Sequence, residues 1–128
     1  MIVLDSSAAI DYLVELELGP WVAEQIRGED VHAPHLIDIE VLGVLRRRVQ
    51  RRELDRFRAE EALEDLAMLD LTRHPHVLLL PHMWALRDNV IASDAVYVAL
   101  ASSLDAPLVT TDQRLARAPI DDVGIVAP

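Results

Sequence analysis

Short apolar runs alternate along this chain with longer segments of helical spacing, and that alternation limits the possible folds more than any other feature. The predicted strands are residues 2–4, 31–33, 69–72, 107–111 and 123–126. The predicted helices are residues 8–18, 21–27, 36–50, 53–69, 76–87, 93–104 and 113–118. Strands that alternate with helices favour βα units and a parallel sheet with helices on both faces. The 128 residues therefore predict one α/β domain spanning positions 1–128.

Composition excludes several classes of protein. The chain has no cysteine, so disulfides and thiolate metal sites are excluded. It also has no lysine, which excludes a Walker-type nucleotide loop and a Schiff-base enzyme. The longest apolar run is too short to span a bilayer, and the opening MIVLD lacks the layout of a signal peptide. We therefore expect a cytoplasmic protein with no membrane partner.

Four acidic residues stand at unusual positions. Asp5 and Asp112 each follow an apolar strand-like run, so both are expected at the carboxyl edge of the sheet, where such folds bind ligands. Glu40 shares a helix face with apolar residues, and Asp94 is the one charge between residues 90 and 104. Each has an ordinary alternative: Asp5, Asp94 and Asp112 could cap helices, and Glu40 could lie at a solvated rim. Their coincidence favours convergence on one pocket.

Gathered carboxylates repel each other unless a cation lies among them. Mg²⁺ or Mn²⁺ resolves this, because both prefer oxygen ligands and share them with water and phosphate. Ser6, Thr110 and Thr111 lie beside the acids and are candidates for orienting a carboxylate, although capping and turn formation are alternative roles. The acids thus indicate a metal site suited to phosphoryl chemistry.

The sequence resembles the PIN-domain ribonucleases, and its length and motif order resemble the VapC-type toxins of type II toxin–antitoxin pairs. The motifs that carry the likeness are VLDSS at the N-terminus, Glu40 in a helix, SDAVYVALA and LVTTD. One departure is Ser93, where many members carry an aromatic residue. The resemblance implies a three-layer PIN-like fold. It also implies that Asp5, Glu40, Asp94 and Asp112 bind Mg²⁺ or Mn²⁺, with Ser6 and Thr110 in support.

The resemblance further implies an endoribonuclease that hydrolyses RNA phosphodiester bonds, forms a homodimer and is inhibited by a cognate antitoxin. An antitoxin with a basic segment could occupy the acidic pocket. Two other functions compete with this one. A dehalogenase-type phosphatase needs an Asp-x-Asp and a lysine, which this chain lacks. A non-catalytic module of the same fold, binding an antitoxin or RNA without cleavage, remains the alternative, and metal binding distinguishes the two.

The net charge of −10 by itself argues against nucleic-acid binding. An arginine-rich segment nevertheless concentrates positive charge in one part of the chain. Residues 46–58 contain seven of the twelve arginines. A solvated helix end is one interpretation, with Arg56 and Glu60 paired at i,i+4. The other is a surface that contacts RNA phosphates or the antitoxin. The candidate contact residues are Arg46, Arg47, Arg48, Arg51 and Arg52.

The histidines and aromatic residues are assigned no chemistry from the sequence. No helical histidine pair with a matching acid occurs, so surface or loop positions are predicted for the five histidines. Trp21, Trp84 and Tyr97 are predicted to lie in the core or at a dimer interface, because stacking on RNA bases would call for more exposed aromatic residues.

Overall fold

The computed structural model describes residues 1–128 and contains a five-stranded, wholly parallel sheet flanked by helices. The strands are β1 (Ile2–Leu4), β2 (Val31–Pro34), β3 (Thr72–His74), β4 (Leu108–Val109) and β5 (Ile125–Val126). The helices are α1 (Ser6–Leu13), α2 (Gly19–Ile26), α3 (Leu36–Gln50), α4 (Arg56–Met68), α5 (Leu80–Ala85), α6 (Ala92–Leu104) and α7 (Gln113–Ala116). A single 3-10 turn, Val77–Leu79, precedes α5. None of the helices has the length and apolar character needed to cross a membrane.

Strand β1 is the centre of the sheet, whose order is β3-β2-β1-β4-β5. All three residues of β1 are buried, as expected for a parallel strand covered on both faces. Helix α6 packs against β1, β2 and β4, and its residues Ala95 to Ala101 are all buried. A helix buried on every side must be apolar all round, which explains the composition of this segment. The predicted α/β architecture is confirmed.

Polar contacts fix the position of α3 relative to the sheet. Arg73 on β3 donates from Nε and Nη2 to the two carboxylate oxygens of Asp38 at 2.8 and 2.9 Å. The same guanidinium donates to the carbonyl of Leu66. Paired bonds between arginine and a carboxylate define geometry as well as energy. Because Glu40 lies half a turn beyond Asp38, this contact also sets the position of Glu40.

Several predicted boundaries were wrong. Residues 69–72 were predicted as a strand, but β3 is Thr72–His74, since these residues pair with β2. The predicted helix 8–18 ends at Leu13. Helix α2 begins at Gly19, because Pro20 suits the first helical turn, where its missing N–H costs nothing.

The predicted helix 76–87 is split into the 3-10 turn and α5 for the same reason, with Pro81 in the first turn of α5. Helix α4 is shorter than the predicted 53–69, because Asp55 caps its start by accepting a hydrogen bond from the Phe57 N–H. The predicted helix 36–50 matches α3 at both ends.

Candidate functional site

Two of the four acids flank the point where the strand order reverses. From β1 the chain proceeds outward to β2 and β3 on one side, whereas β4 and β5 lie on the other. Ligand sites in open parallel sheets lie at this reversal, beyond the carboxyl ends of the strands. Asp5 follows β1 and Asp112 follows β4 shortly after its end. Both also cap helices, so the capping role and the position at the sheet edge coexist.

Asp5 is almost completely buried, at 4% exposed, and is surrounded by hydrogen-bond donors. Ser7 Oγ donates to Oδ1 at 2.7 Å, and the backbone N–H of Ala8 donates to the same oxygen at 2.9 Å. Thr110 Oγ1 donates to Oδ2 at 2.5 Å. Burial nevertheless raises the pKa of Asp5 to about 6, with a smaller contribution from the charge of Asp112. The hydrogen bonds thus fix the orientation of this carboxylate, but they do not fully offset the cost of burying its negative charge.

The hydroxyl groups beside Asp5 also organise the loop after β4. The backbone N–H of Thr111 donates to Ser7 Oγ at 3.1 Å, and that of Asp112 donates to Thr110 Oγ1 at 3.0 Å. Thr110 is fully buried, as a residue in this role requires. The hydroxyls therefore link Asp5 to the loop that carries Asp112.

Asp94 and Asp112 meet at one guanidinium. Asp94 lies in the first turn of α6, and Arg114 Nη2 donates to its Oδ2 at 3.1 Å. The same Nη2 donates to Oδ2 of Asp112 at 3.2 Å. Burial raises the pKa of Asp94, as do the charges of Asp112 and Glu40, while Arg114 opposes the rise. These two acids therefore share a cation although they are 18 residues apart in sequence.

Glu40 is held from α6. Tyr97, which is 1% exposed, donates from its hydroxyl to Glu40 Oε1 at 2.6 Å. Burial raises the pKa of Tyr97 above its usual value, and the bond to Glu40 raises it further. The phenol therefore stays protonated and remains a donor. Tyr97, predicted as core or interface, is a core residue that also orients a candidate ligand.

The four acids lie close enough to influence one another, since Asp112 acts on both Asp5 and Asp94, and Glu40 acts on Asp94. No three of them stand in a geometry that encloses an ion with the side chains as they are. The donor set nevertheless fits a hard divalent cation, because every group is a carboxylate and two already face one positive charge. Asp94 and Asp112 are the pair whose arrangement fits best.

The structure places Thr110 against Asp5, whereas the second hydroxyl that contacts Asp5 is that of Ser7 and not of the predicted Ser6. Ser6 instead faces the phenol of Tyr97. The capping geometry of Asp5 is what brings Ser7 against its carboxylate. Arg114 was missed. Its position two residues after Asp112 could have indicated the contact with Asp112, but not the contact with Asp94.

The arginine segment extends away from the acids along α3. Arg46 follows Glu40 by six residues, which corresponds to about 9 Å of helix rise. Arg46, Arg47, Arg51 and Arg52 are exposed, and Arg48 is half-buried. None of the five forms an ion pair with an acid of the chain, whereas Arg56 pairs with Glu60 at 3.6 Å as predicted. The segment thus presents charge that is open to a partner.

The histidine prediction was wrong for His32. It lies on β2, is 7% exposed, and its Nδ1 is 2.8 Å from Nε2 of His74 on β3. Parallel pairing of the two strands brings the rings together, which no local pattern indicates. Trp84, predicted to lie in the core or at a dimer interface, is 69% exposed, so it is not a core residue and only the interface alternative stays open.

Comparison with known proteins identifies the family of the chain. The model of the PIN domain family, described as "PIN domain", matches residues 2–121. The chain therefore belongs to the PIN-domain family.

Within that family the chain is similar to the VapC ribonucleases. Ribonuclease VapC1 of Mycobacterium tuberculosis (strain ATCC 25618 / H37Rv) is 43% identical over 119 residues, covering 91% of this chain and 90% of that protein. Ribonuclease VapC9 of the same strain is 44% identical over 116 residues, covering 90% and 88%. A crystal structure of VapBC2 from Rickettsia felis bound to a DNA fragment from their promoter has a similar fold, with a TM-score of 0.70 at 12% identity. That similarity covers 99% of this chain and 98% of the other.

Proposed function

We propose that this protein is a Mg²⁺- or Mn²⁺-dependent endoribonuclease toxin that hydrolyses RNA phosphodiester bonds and is inhibited by a cognate antitoxin in the cytoplasm. The proposal rests above all on the convergence of Asp94 and Asp112 on the guanidinium of Arg114, close to the buried Asp5. Like charges gathered at the reversal point of a parallel sheet, one of them buried, are a recurrent mark of a functional site. The similarity to VapC ribonucleases supports the same activity.

Each candidate residue has a distinct task in this proposal. Asp5, Glu40, Asp94 and Asp112 hold the ion, and Ser7 and Thr110 orient Asp5 while Tyr97 orients Glu40. A divalent ion supplies phosphoryl polarisation and an activated water at neutral pH. No side chain has to act as a nucleophile, because the oxygen of water would form the new P–O bond while the P–O bond to the leaving hydroxyl of the RNA breaks and that hydroxyl takes up a proton.

The decisive experiment compares Asp94→Asn with Asp88→Asn. Both remove one negative charge, but Asp88 is exposed and forms no hydrogen bond or ion pair. With total RNA and Mg²⁺, we expect Asp94→Asn to reduce cleavage by about 100-fold or more while its circular dichroism and Tm remain close to those of the parent. A chelator should abolish cleavage by the parent reversibly. Full activity in purified Asp94→Asn would refute the proposal.

The non-catalytic module remains a second candidate, because Arg114 already balances part of the charge of Asp94 and Asp112. Titration of Mg²⁺ or Mn²⁺ into the protein by calorimetry separates the two functions. A nuclease should bind the ion, and Asp5→Asn should weaken the binding. A protein that binds no ion even with RNA present is the module.

For the antitoxin, a groove between α1, α2 and α4 has the right chemistry. It has a volume of about 870 Å³ and an apolar floor that includes Leu13 and Leu16. Its one arginine, Arg58, is engaged by Glu61 and by the carbonyl of Leu13. Charge complementarity therefore favours a basic, amphipathic antitoxin segment. The acidic residues of the rim are Glu15, Glu17, Glu61, Asp65 and Asp70.

Charge reversal on α4 tests the groove. Asp65→Lys should weaken binding of the antitoxin by about tenfold, because it places a like charge in the groove. Glu64→Lys is the matched control, since Glu64 is exposed on the same helix but does not line the groove. Equal effects of the two substitutions would locate the antitoxin elsewhere.

For the homodimer, the proposed surface is the 3-10 turn and α5. Leu78 is 92% exposed there, and Val77, Leu80 and Trp84 are exposed beside it. Contiguous apolar surface of this kind marks an interaction site. Leu78→Asp should shift the protein from dimer to monomer in light scattering, whereas Phe57→Asp, at an exposed residue of α4, should not. A dimer that persists in Leu78→Asp would exclude this surface.

A further inference from the structure

Arg114 is the one cation that contacts the candidate acids, and its contacts are specific. Asp112 caps α7, and its Oδ1 accepts the backbone N–H of Arg114 at 2.8 Å, which leaves Oδ2 for the guanidinium. The guanidinium bridges that oxygen and Oδ2 of Asp94 through a single nitrogen, Nη2. The Arg114 side chain is 65% exposed, so water can solvate the other guanidinium nitrogens and there is space for the side chain to rotate.

An ion held by Asp94 and Asp112 would draw on the same two carboxylates that Arg114 contacts. A guanidinium and a divalent cation cannot both occupy the space between them, because like charges at such distances repel strongly. Ion binding must therefore displace Nη2. The displaced side chain would still be attached beside the site, because the backbone N–H of Arg114 is held by Asp112 in the cap of α7.

We propose that Arg114 alternates between two partners, bridging Asp94 and Asp112 before the ion binds and contacting a phosphate of the RNA afterwards. The inference rests on the proposed nuclease function. Phosphate is the natural second partner, because the planar guanidinium donates paired bonds to it as it does to a carboxylate. In the first position Arg114 compensates the acids, and in the second it compensates the phosphate beside the ion.

Two effects of opposite sign follow from removing the guanidinium. Arg114→Met should strengthen Mg²⁺ binding by about two- to fivefold, because an exposed competing ion pair is lost. The same substitution should raise the KM for RNA by about tenfold, because a charge-assisted hydrogen bond to phosphate is lost. A residue that only stabilises α7 would change neither quantity in this pattern.

The experiment measures both quantities on the intact protein. Calorimetry with Mg²⁺ in the absence of RNA gives the ion affinity, and steady-state cleavage of one RNA substrate gives KM and kcat. Arg117→Met is the matched control, since it removes the same charge from the C-cap of α7 without any contact to the acids. Arg114→Lys should fall between the parent and Arg114→Met in both measurements, because a lysine keeps the charge without the fork.

The outcomes separate this inference from the function on which it rests. Tighter Mg²⁺ binding with a raised KM in Arg114→Met, and neither change in Arg117→Met, supports the two positions. An active parent with unchanged KM in Arg114→Met, or with weaker Mg²⁺ binding, overturns the inference and leaves the nuclease intact. A parent that neither binds Mg²⁺ nor cleaves RNA overturns both.

Discussion

Asp5 and His32 are both buried near the sheet, and the two side chains are compensated in different ways. Asp5, beyond the end of β1, is 4% exposed and collects donors from a serine, a threonine and the backbone. His32, on β2, is 7% exposed and faces His74 on β3. Burial raises the pKa of Asp5 to about 6 and lowers the pKa of His74. Both shifts favour the neutral form.

The difference lies in what completes each cluster. In the histidine pair, one ring donates to the other between Nδ1 of His32 and Nε2 of His74. Nε2 of His32 is buried without a hydrogen bond, but it lies 2.9 Å from a carboxylate oxygen of Asp30. The acids gather like charges that the chain itself compensates only through Arg114. A pair of rings that bond each other across two strands indicates structure, and a group of like charges compensated by a single cation indicates a site for a ligand.

The largest expected effect is on the pH dependence of stability. Because the folded pKa of Asp5 lies above its unfolded value, folding favours the protonated form, and stability falls as the pH rises from about 4 through about 6. The loss amounts to ~3 kcal/mol at most without a divalent ion. Urea unfolding of Asp5→Asn should lack this fall, and Mg²⁺ should restore the stability of the parent at pH 7. Identical pH profiles for Asp5→Asn and the parent would remove the contrast between the two clusters.

The next largest effect concerns the hydroxyl of Thr110, which donates a hydrogen bond to Asp5 and orients it. Thr110→Val keeps the volume of the side chain but removes the hydroxyl that donates to Oδ2, so we expect Mg²⁺ binding to weaken about 10- to 100-fold. Calorimetry measures the change directly. Thr111→Val is the control, because that side chain forms no hydrogen bond and only its backbone N–H contacts Ser7. Equal affinities in the two variants would show that the hydroxyl does not orient the carboxylate.

The smallest expected effect is a pH dependence of stability whose sign is opposite to that expected for Asp5. Since the folded pKa of His74 lies below its unfolded value, the histidine pair stabilises the fold above about pH 6.5, and this stability is lost on acidification. Solvent screening limits the contribution to below about 1 kcal/mol. Thermal unfolding of His74→Gln should lose this part of the acid sensitivity, whereas His76→Gln, at an exposed position two residues later, should keep it. Unaltered acid sensitivity in His74→Gln would mean that the pair carries no pH-dependent stability.

The sequence was most informative where local spacing decides structure. Helix α3 was predicted at both ends because its apolar positions repeat along one face, and Asp5 and Asp112 were placed at the sheet edge because each follows a strand. Contacts that depend on long-range geometry were not predictable. The His32–His74 pair requires the register of two strands 42 residues apart. Arg114 reaches Asp94 across 20 residues through a flexible side chain, and nothing in the local pattern encodes that reach.

The two hydroxyls beside Asp5 impose a direction on their hydrogen bonds. Each hydroxyl accepts a hydrogen bond from a backbone N–H of the loop after β4 and donates its own proton to Asp5. The donors are therefore ordered from the backbone of Thr111 and Asp112, through the hydroxyls, to the carboxylate. A proton added to Asp5 would oppose that direction and disturb the loop that presents Asp112. The shape of this loop is thereby coupled to the charge on a residue more than a hundred positions earlier in the chain.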